Sequence, residues 1–152
     1  MWLRKGDSEK KLPGKVIWII GRRDSGKTTL ADAVQKVRPK TTILVDDFLR
    51  CRTHIRGKDR LAYNQMIGLS YAIAFQGFDA IICAGARTKE LRDYIRSEIP
   101  SAVFVYLHGR GRFCGDYEDP AADEKIITLD NLTVEQEVDK VLEKIWNHAL
   151  TS

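Results

Sequence analysis

The stretch Lys15-Val16-Ile17-Trp18-Ile19-Ile20, followed by Gly21-Arg22-Arg23-Asp24-Ser25-Gly26-Lys27-Thr28, decides the fold. Its first six residues are apolar beyond Lys15 and rich in β-branched side chains, the composition of a strand buried on both faces. The eight that follow have glycines at both ends of a polar loop. From Thr28 to Val37 the apolar residues take helical spacing, so the whole reads as strand, glycine loop, helix.

Working outward, Arg38-Pro39 ends that helix, because the residue before a proline is pushed out of the α region. Thr41 to Val45 is a second buried strand with Asp46 and Asp47 at its C-terminal end. Leu61 to Phe75, with apolar residues at Leu61, Ile67, Tyr71, Ala74 and Phe75, reads as a helix ended by Gln76-Gly77. Phe78 to Cys83 is a third strand, Lys89 to Ile99 an amphipathic helix stopped by Pro100, and Ala102 to Leu107 a fourth strand. Lys125 to Leu129 is a weaker fifth strand, and Thr133 to Ala149 a final helix. Alternation of strands and helices predicts an α/β domain with a five-stranded, mostly parallel sheet in three layers, and the glycine loop between its first strand and helix makes it of the P-loop NTPase type. At 152 residues one domain is expected, taken as residues 15–150 after an N-terminal extension of residues 1–14. The polar, glycine-rich piece from His108 to Asp123 is long for an idle loop and reads as a lid or binding loop.

The glycine loop has a specific chemistry. Gly21 and Gly26 let successive N–H groups turn inward toward anionic oxygens, and the helix that starts near Lys27 adds the positive end of its dipole. Lys27 is expected to reach the β and γ phosphates of ATP, and Thr28 to hold Mg²⁺, with Arg22, Arg23, Asp24, Ser25 and Thr29 completing the nucleotide cradle. Arg22 and Arg23 stand where small residues are usual, either as cations beside the phosphates or as solvated side chains. In an α/β sheet, ligands gather at the C-terminal strand ends. The second strand end offers Asp46 or Asp47 as the carboxylate for Mg²⁺ or for a hydroxyl proton.

Composition removes several function classes. The longest apolar runs, Val16 to Ile20 and Ala102 to Leu107, are far too short to span a bilayer, so no membrane helix is expected. The charged N-terminus, Met1-Trp2-Leu3-Arg4-Lys5, has no apolar core of a secretory signal, and a cytoplasmic location is the expectation. Cys51, Cys83 and Cys114 are odd in number and widely spaced, hence expected as free thiols rather than a disulfide framework or zinc site. His54, His108 and His148 have no metal-ligand spacing. Net charge is a modest +4, but Arg50, Arg52, Arg56, Lys58 and Arg60 crowd one stretch with His54, either a solvated loop or a field that favours an anionic ligand.

Several landmarks occur in a fixed order: the strand Gly14 to Ile20, the glycine loop, Val45-Asp46-Asp47-Phe48-Leu49-Arg50, Asp59-Arg60, Ile67-Gly68, Phe113-Cys114-Gly115 and Thr133-Val134-Glu135. Together they cover nearly the whole chain and resemble the adenylyl-sulfate kinases. The resemblance implies transfer of the ATP γ-phosphoryl group to the ribose 3′-hydroxyl of adenylyl sulfate, a step of sulfate assimilation. Lys27, Asp47 and Arg50 are then the catalytic residues, Asp47 matching the second acid of the family's D-G-D-N-x-R motif and Arg50 its arginine. Thr28 and Asp47 are the expected metal ligands. Asp47, Arg50, Arg60, Arg87 and Phe113 are the expected acceptor contacts, and a homodimer is the expected assembly.

This sequence also departs from the family. Val45 replaces the motif's first acid and Asp46 its glycine. Tyr63 and Gln65 stand where the family has an asparagine and an arginine that hold the sulfated nucleotide. Ala84-Gly85-Ala86-Arg87-Thr88 replaces the family's S-F-I-S-P region, and the lid is shortened, with Arg110, Arg112 and Phe113 remaining on it. Donor residues match better than acceptor residues. Other acceptors therefore stay open, among them a nucleoside, a sugar nucleotide or a polynucleotide 5′ end, as does a nucleotide-binding module without catalysis.

Overall fold

The computed structural model describes residues 11–45, 59–109, 111 and 117–147. In chain order they form β1 (Val16–Ile20), α1 (Lys27–Val37), β2 (Thr41–Val45), α2 (Asp59–Phe75), β3 (Asp79–Ala84), α3 (Lys89–Glu98), β4 (Val103–His108), β5 (Ile127–Asp130) and α4 (Val134–Trp146). The strands lie in the order β2-β3-β1-β4-β5, and every pairing is parallel. The structure therefore has the α/β P-loop fold read from the sequence, with element ends shifted by one to three residues.

β1 lies at the centre, and all five of its residues are buried. Strand periodicity divides them between two cores. Val16, Trp18 and Ile20 join Tyr63, Met66, Ile67 and Ala74 of α2 and Ile95 of α3 on one face. Ile17 and Ile19 join Leu30, Ala31 and Val34 of α1 and Val138, Val141 and Leu142 of α4 on the other. The first core also takes in Leu12, inside the stretch expected as an extension, and the Gly14 N–H donates to the Ala74 carbonyl at 2.9 Å.

On α2 the buried face differs from the expected one. Ile67, Tyr71 and Ala74 are buried as expected, but Leu61 and Phe75 are exposed, Phe75 at 65%. The core-facing row runs through Ala62, Tyr63, Met66, Ile67, Ser70, Tyr71 and Ala74 at helical spacing, and Leu61 and Phe75 fall beside it. No helix among the described residues is long and apolar enough to cross a membrane. Cys83 is buried, its thiol donating to the Lys27 carbonyl at 3.7 Å, while Cys51 and Cys114 lie outside the described residues.

Candidate active site

The glycine loop leaves the C-terminal end of the central strand and runs into α1. Gly26, its N-cap, has φ 95°, a left-handed conformation that a residue with a Cβ adopts only with strain. Gly21 is tightly confined, since a Cβ there would lie 2.9 Å from Ser25 Oγ and 3.4 Å from the Leu107 carbonyl oxygen. The Ser25 N–H donates to the Arg22 carbonyl at 3.2 Å and closes the loop's turn. Lys27 Nζ donates to the carbonyls of Gly21 at 3.0 Å and Arg22 at 2.8 Å, which holds the ammonium against the loop.

The start of α1 differs from the other described helix starts in a way that suits an anion. Thr88 caps α3 by accepting from the Leu91 N–H at 3.1 Å, and Thr133 caps α4 by accepting from the Gln136 N–H at 3.2 Å. α1 has neither a side-chain cap nor an acidic residue in its first turn. Its positive end is thus left for an external acceptor. Thr28 and Thr29 are exposed on that turn, as are Arg23 and Asp24 on the loop, whereas Ser25 is 2% exposed and buttresses the loop from within. These residues fit a bound triphosphate and its metal ion, with the Thr28 hydroxyl accessible as a ligand.

The Arg22 side chain reaches toward Asp119. One of its terminal nitrogens lies 3.4 Å from both carboxylate oxygens of Asp119, and its guanidinium carbon is 5.9 Å from the centre of the Tyr117 ring. Asp119 also accepts a hydrogen bond from the Tyr106 hydroxyl at 2.7 Å. Burial and this carboxylate push the Tyr106 phenol up to about 12. Asp119 is half exposed, so the ion pair with Arg22 is weak, and its consequence is geometric: it ties the loop to residues 117–119.

The turn after β3 is held by four hydrogen bonds. Gly85 accepts from the Tyr117 hydroxyl at 2.7 Å, the Ala86 N–H donates to the Tyr63 hydroxyl at 2.8 Å, the Ala86 carbonyl accepts from Arg92 at 2.8 Å, and the Arg87 carbonyl accepts from the Glu118 N–H at 2.8 Å. These bonds hold Ala86 in the left-handed region at φ 46°, which costs about 1–3 kcal/mol for a residue with a Cβ. The turn adjoins the glycine loop, since a Cβ on Gly85 would lie 3.9 Å from the Gly21 carbonyl oxygen.

Beneath this turn Arg92 and Glu124 form a buried pair, at 0% and 3% side-chain exposure, with two nearly parallel bonds of 3.0 and 3.1 Å. Burial alone would raise the Glu124 carboxyl, but hydrogen bonds from Arg92 and the Ala121 N–H and the charges of Arg92 and Arg96 hold it down at about 2. The pair staples the segment returning from the lid region to α3 and to the Ala86 turn.

Lys27, Gly21, Gly26, Thr28 and Thr29 are thus gathered at the mouth of α1, and Arg87 follows on the adjoining turn, half-buried. Arg60 lies at the start of α2, exposed, 3.6 Å from Glu90 and stacked 4.2 Å over the Tyr94 ring. Asp46, Asp47, Arg50, Arg110, Arg112 and Phe113 lie outside the described residues. Tyr63, at a position that the family resemblance associates with acceptor binding, is 1% exposed and stacks on Trp18 at 5.7 Å with its hydroxyl engaged by Ala86. Sequence reasoning did not single out Asp119, Tyr117, Arg92 or Glu124. The length of the His108 to Asp123 piece was the available signal for the first two, and the pairing of Arg92 with Glu124 had none.

No protein-family model matches the chain, and no curated protein matches it. Among solved structures, the APS kinase CysC of Mycobacterium tuberculosis in complex with AMPPNP and APS is similar with a TM-score of 0.71 at 16% identity, over 86% of this chain and 96% of that one. A gluconokinase from Sinorhizobium meliloti 1021 has a TM-score of 0.63 at 20% identity, covering 92% and 95%. Kti12 of Chaetomium thermophilum in complex with ADP-AlF3 has a TM-score of 0.55 at 17% identity, covering 90% and 100%. At such identities the likeness establishes the P-loop fold, which carries more than one kind of acceptor.

Proposed function

We propose that this chain is an ATP-dependent phosphotransferase that moves the γ-phosphoryl group to a hydroxyl of a small anionic acceptor, adenylyl sulfate or a related nucleotide. The observation that carries this reading is the uncapped start of α1 beneath a glycine loop, with Lys27 and the exposed Thr28 on its first turn. Kinase structures among the fold's neighbours support it, one of them an APS kinase holding AMPPNP and APS.

The division of labour follows from the residues. The loop's N–H groups and α1 bind the phosphates, and Lys27 exchanges its two loop carbonyls for phosphate oxygens, trading neutral acceptors for charged ones. Thr28 and Asp47 would hold Mg²⁺, which would supply positive charge to offset that of the phosphates. Asp47 accepts the acceptor's hydroxyl proton, and Arg50, Arg60 and Arg87 supply positive charge for an anionic acceptor. A homodimer and a cytoplasmic location belong to the same reading.

The state of Tyr63 favours a second reading. Buried and already bonded to Ala86, it is not available to hold a sulfated nucleotide, which favours a different hydroxyl acceptor on the same donor machinery. A transfer screen with γ-labelled ATP decides between the two. Adenylyl sulfate, nucleosides, sugar nucleotides, gluconate and 5′-hydroxyl oligonucleotides are offered side by side. Label on adenylyl sulfate alone supports the first reading, and label on another compound the second. ATP binding with label on none of them removes the kinase assignment.

A further inference from the structure

Gly111 comes from the segment between β4 and β5, far in sequence from the glycine loop, yet it sits directly on that loop. A Cβ built on it would lie 2.4 Å from the Arg23 carbonyl oxygen, 3.0 Å from the Ser25 nitrogen and 3.2 Å from the Ser25 Cα. All three are backbone atoms of the turn that the Ser25 N–H to Arg22 bond closes, so no side-chain rotation relieves the contact. Gly111 also has φ 91°, in the left-handed region. Gly109, two residues earlier, has φ 72° but nothing closer to its Cβ position than Asp130 Oδ1 at 3.9 Å. The two glycines thus share a backbone requirement and differ in one respect: only Gly111 lies against the glycine loop.

We propose that Gly111 is a positioning residue for nucleotide binding, its bare Cα forming the surface against which the turn Arg23–Ser25 takes its phosphate-binding shape. An anion cradle works through the direction of its N–H groups, and these point correctly only while the turn is seated. A methyl group at position 111 drives the Arg23 carbonyl away by an amount close-packed backbone does not absorb locally, and the displaced turn carries Ser25 and Gly26 with it. The contact also makes Gly111 and the phosphate site one mechanical unit, so nucleotide bound in the cradle rigidifies Gly111.

The proposal rests on the glycine loop binding nucleotide, and the experiment keeps the two apart. Binding of ADP and of a non-hydrolysable ATP analogue, both with Mg²⁺, is measured by calorimetry for the natural sequence, Gly109→Ala and Gly111→Ala, with thermal unfolding of each in the absence of nucleotide. Absence of binding by the natural sequence overturns the nucleotide reading itself. Given binding, Gly111→Ala is expected to weaken it at least about tenfold and Gly109→Ala less than about threefold; both lose thermal stability from positive φ, and Gly111→Ala loses more because of its backbone contact. Equal weakening by the two variants, or none from Gly111→Ala, overturns the proposal. Should Gly111→Ala not fold, amide exchange in the natural sequence serves instead. Nucleotide is expected to slow exchange at Gly111 together with the Gly21–Lys27 amides, and an unchanged Gly111 amide overturns it.

Discussion

Replacing Glu124 by glutamine leaves the side chain's shape and removes the charge opposite Arg92. Both partners are almost fully buried, so Arg92 would keep a guanidinium with no counter-charge of equal strength in contact. Two routes give the size of the loss. The carboxyl stands at about 2 in the folded protein against an ordinary 4.5, and a difference of about 2.5 units is worth roughly 3 kcal/mol. Breaking a buried pair by removing one partner typically costs about 3–5 kcal/mol. For a domain of this size roughly 3 kcal/mol lowers the unfolding temperature by about 6–12 °C. The pH dependence has a defined sign. A depressed carboxyl contributes its full stabilisation above its unfolded value, and that contribution is lost as pH falls from about 5 toward 2. Thermal unfolding of both proteins from neutral to acid pH should show Glu124→Gln well below the natural sequence at pH 7, with the gap closing on acidification. A gap under about 2 °C at pH 7, or one that does not close, would refute the reasoning. Because Arg92 also holds the Ala86 carbonyl, KM for the acceptor should rise more than KM for ATP.

Lys27→Ala should weaken ATP binding by roughly 30- to 1,000-fold, the loss of about 2–4 kcal/mol from charge-assisted hydrogen bonds, as read by calorimetry. Asp47→Asn should leave ATP binding intact and slow transfer by about 10²–10⁴-fold in a labelled-ATP assay, and full turnover would remove Asp47 from the base role. Tyr63→Phe should cost about 1–3 kcal/mol in urea unfolding, because it orphans the buried Ala86 N–H. Unchanged stability in that variant would mean the turn finds another acceptor.

The glycine loop and its flanking elements were legible along the chain. The apolar run of β1, the paired glycines and the helical spacing after Lys27 are local signals, and local conformation is what they specify. Parallel order in the sheet also followed in outline, because strands separated by helices cannot pair as hairpins. Element ends came within one to three residues, and Thr88 and Thr133 mark the starts of α3 and α4 chemically.

The acceptor half was not legible in the same way. Sequence position showed Tyr63 only as a replacement for a family acceptor residue, whereas the packing of α2 on β1 stacks it on Trp18 and bonds its hydroxyl to Ala86. The contact of Arg22 with Asp119 had no mark in the sequence, because only the return of residues 117–119 alongside β4 brings the two within reach. Arg92 and Glu124 carry no mark in sequence of being buried together. By itself, then, the sequence determined a P-loop α/β domain with its glycine loop at the end of the first strand. Only tertiary structure decided which side chains the cradle's neighbours occupy, which are already bonded, and that Gly111 rests on the loop. The physical reason is that periodicity and turn chemistry act between near neighbours in the chain, whereas burial, ion pairing and backbone contact act across space between segments 30 to nearly 100 residues apart.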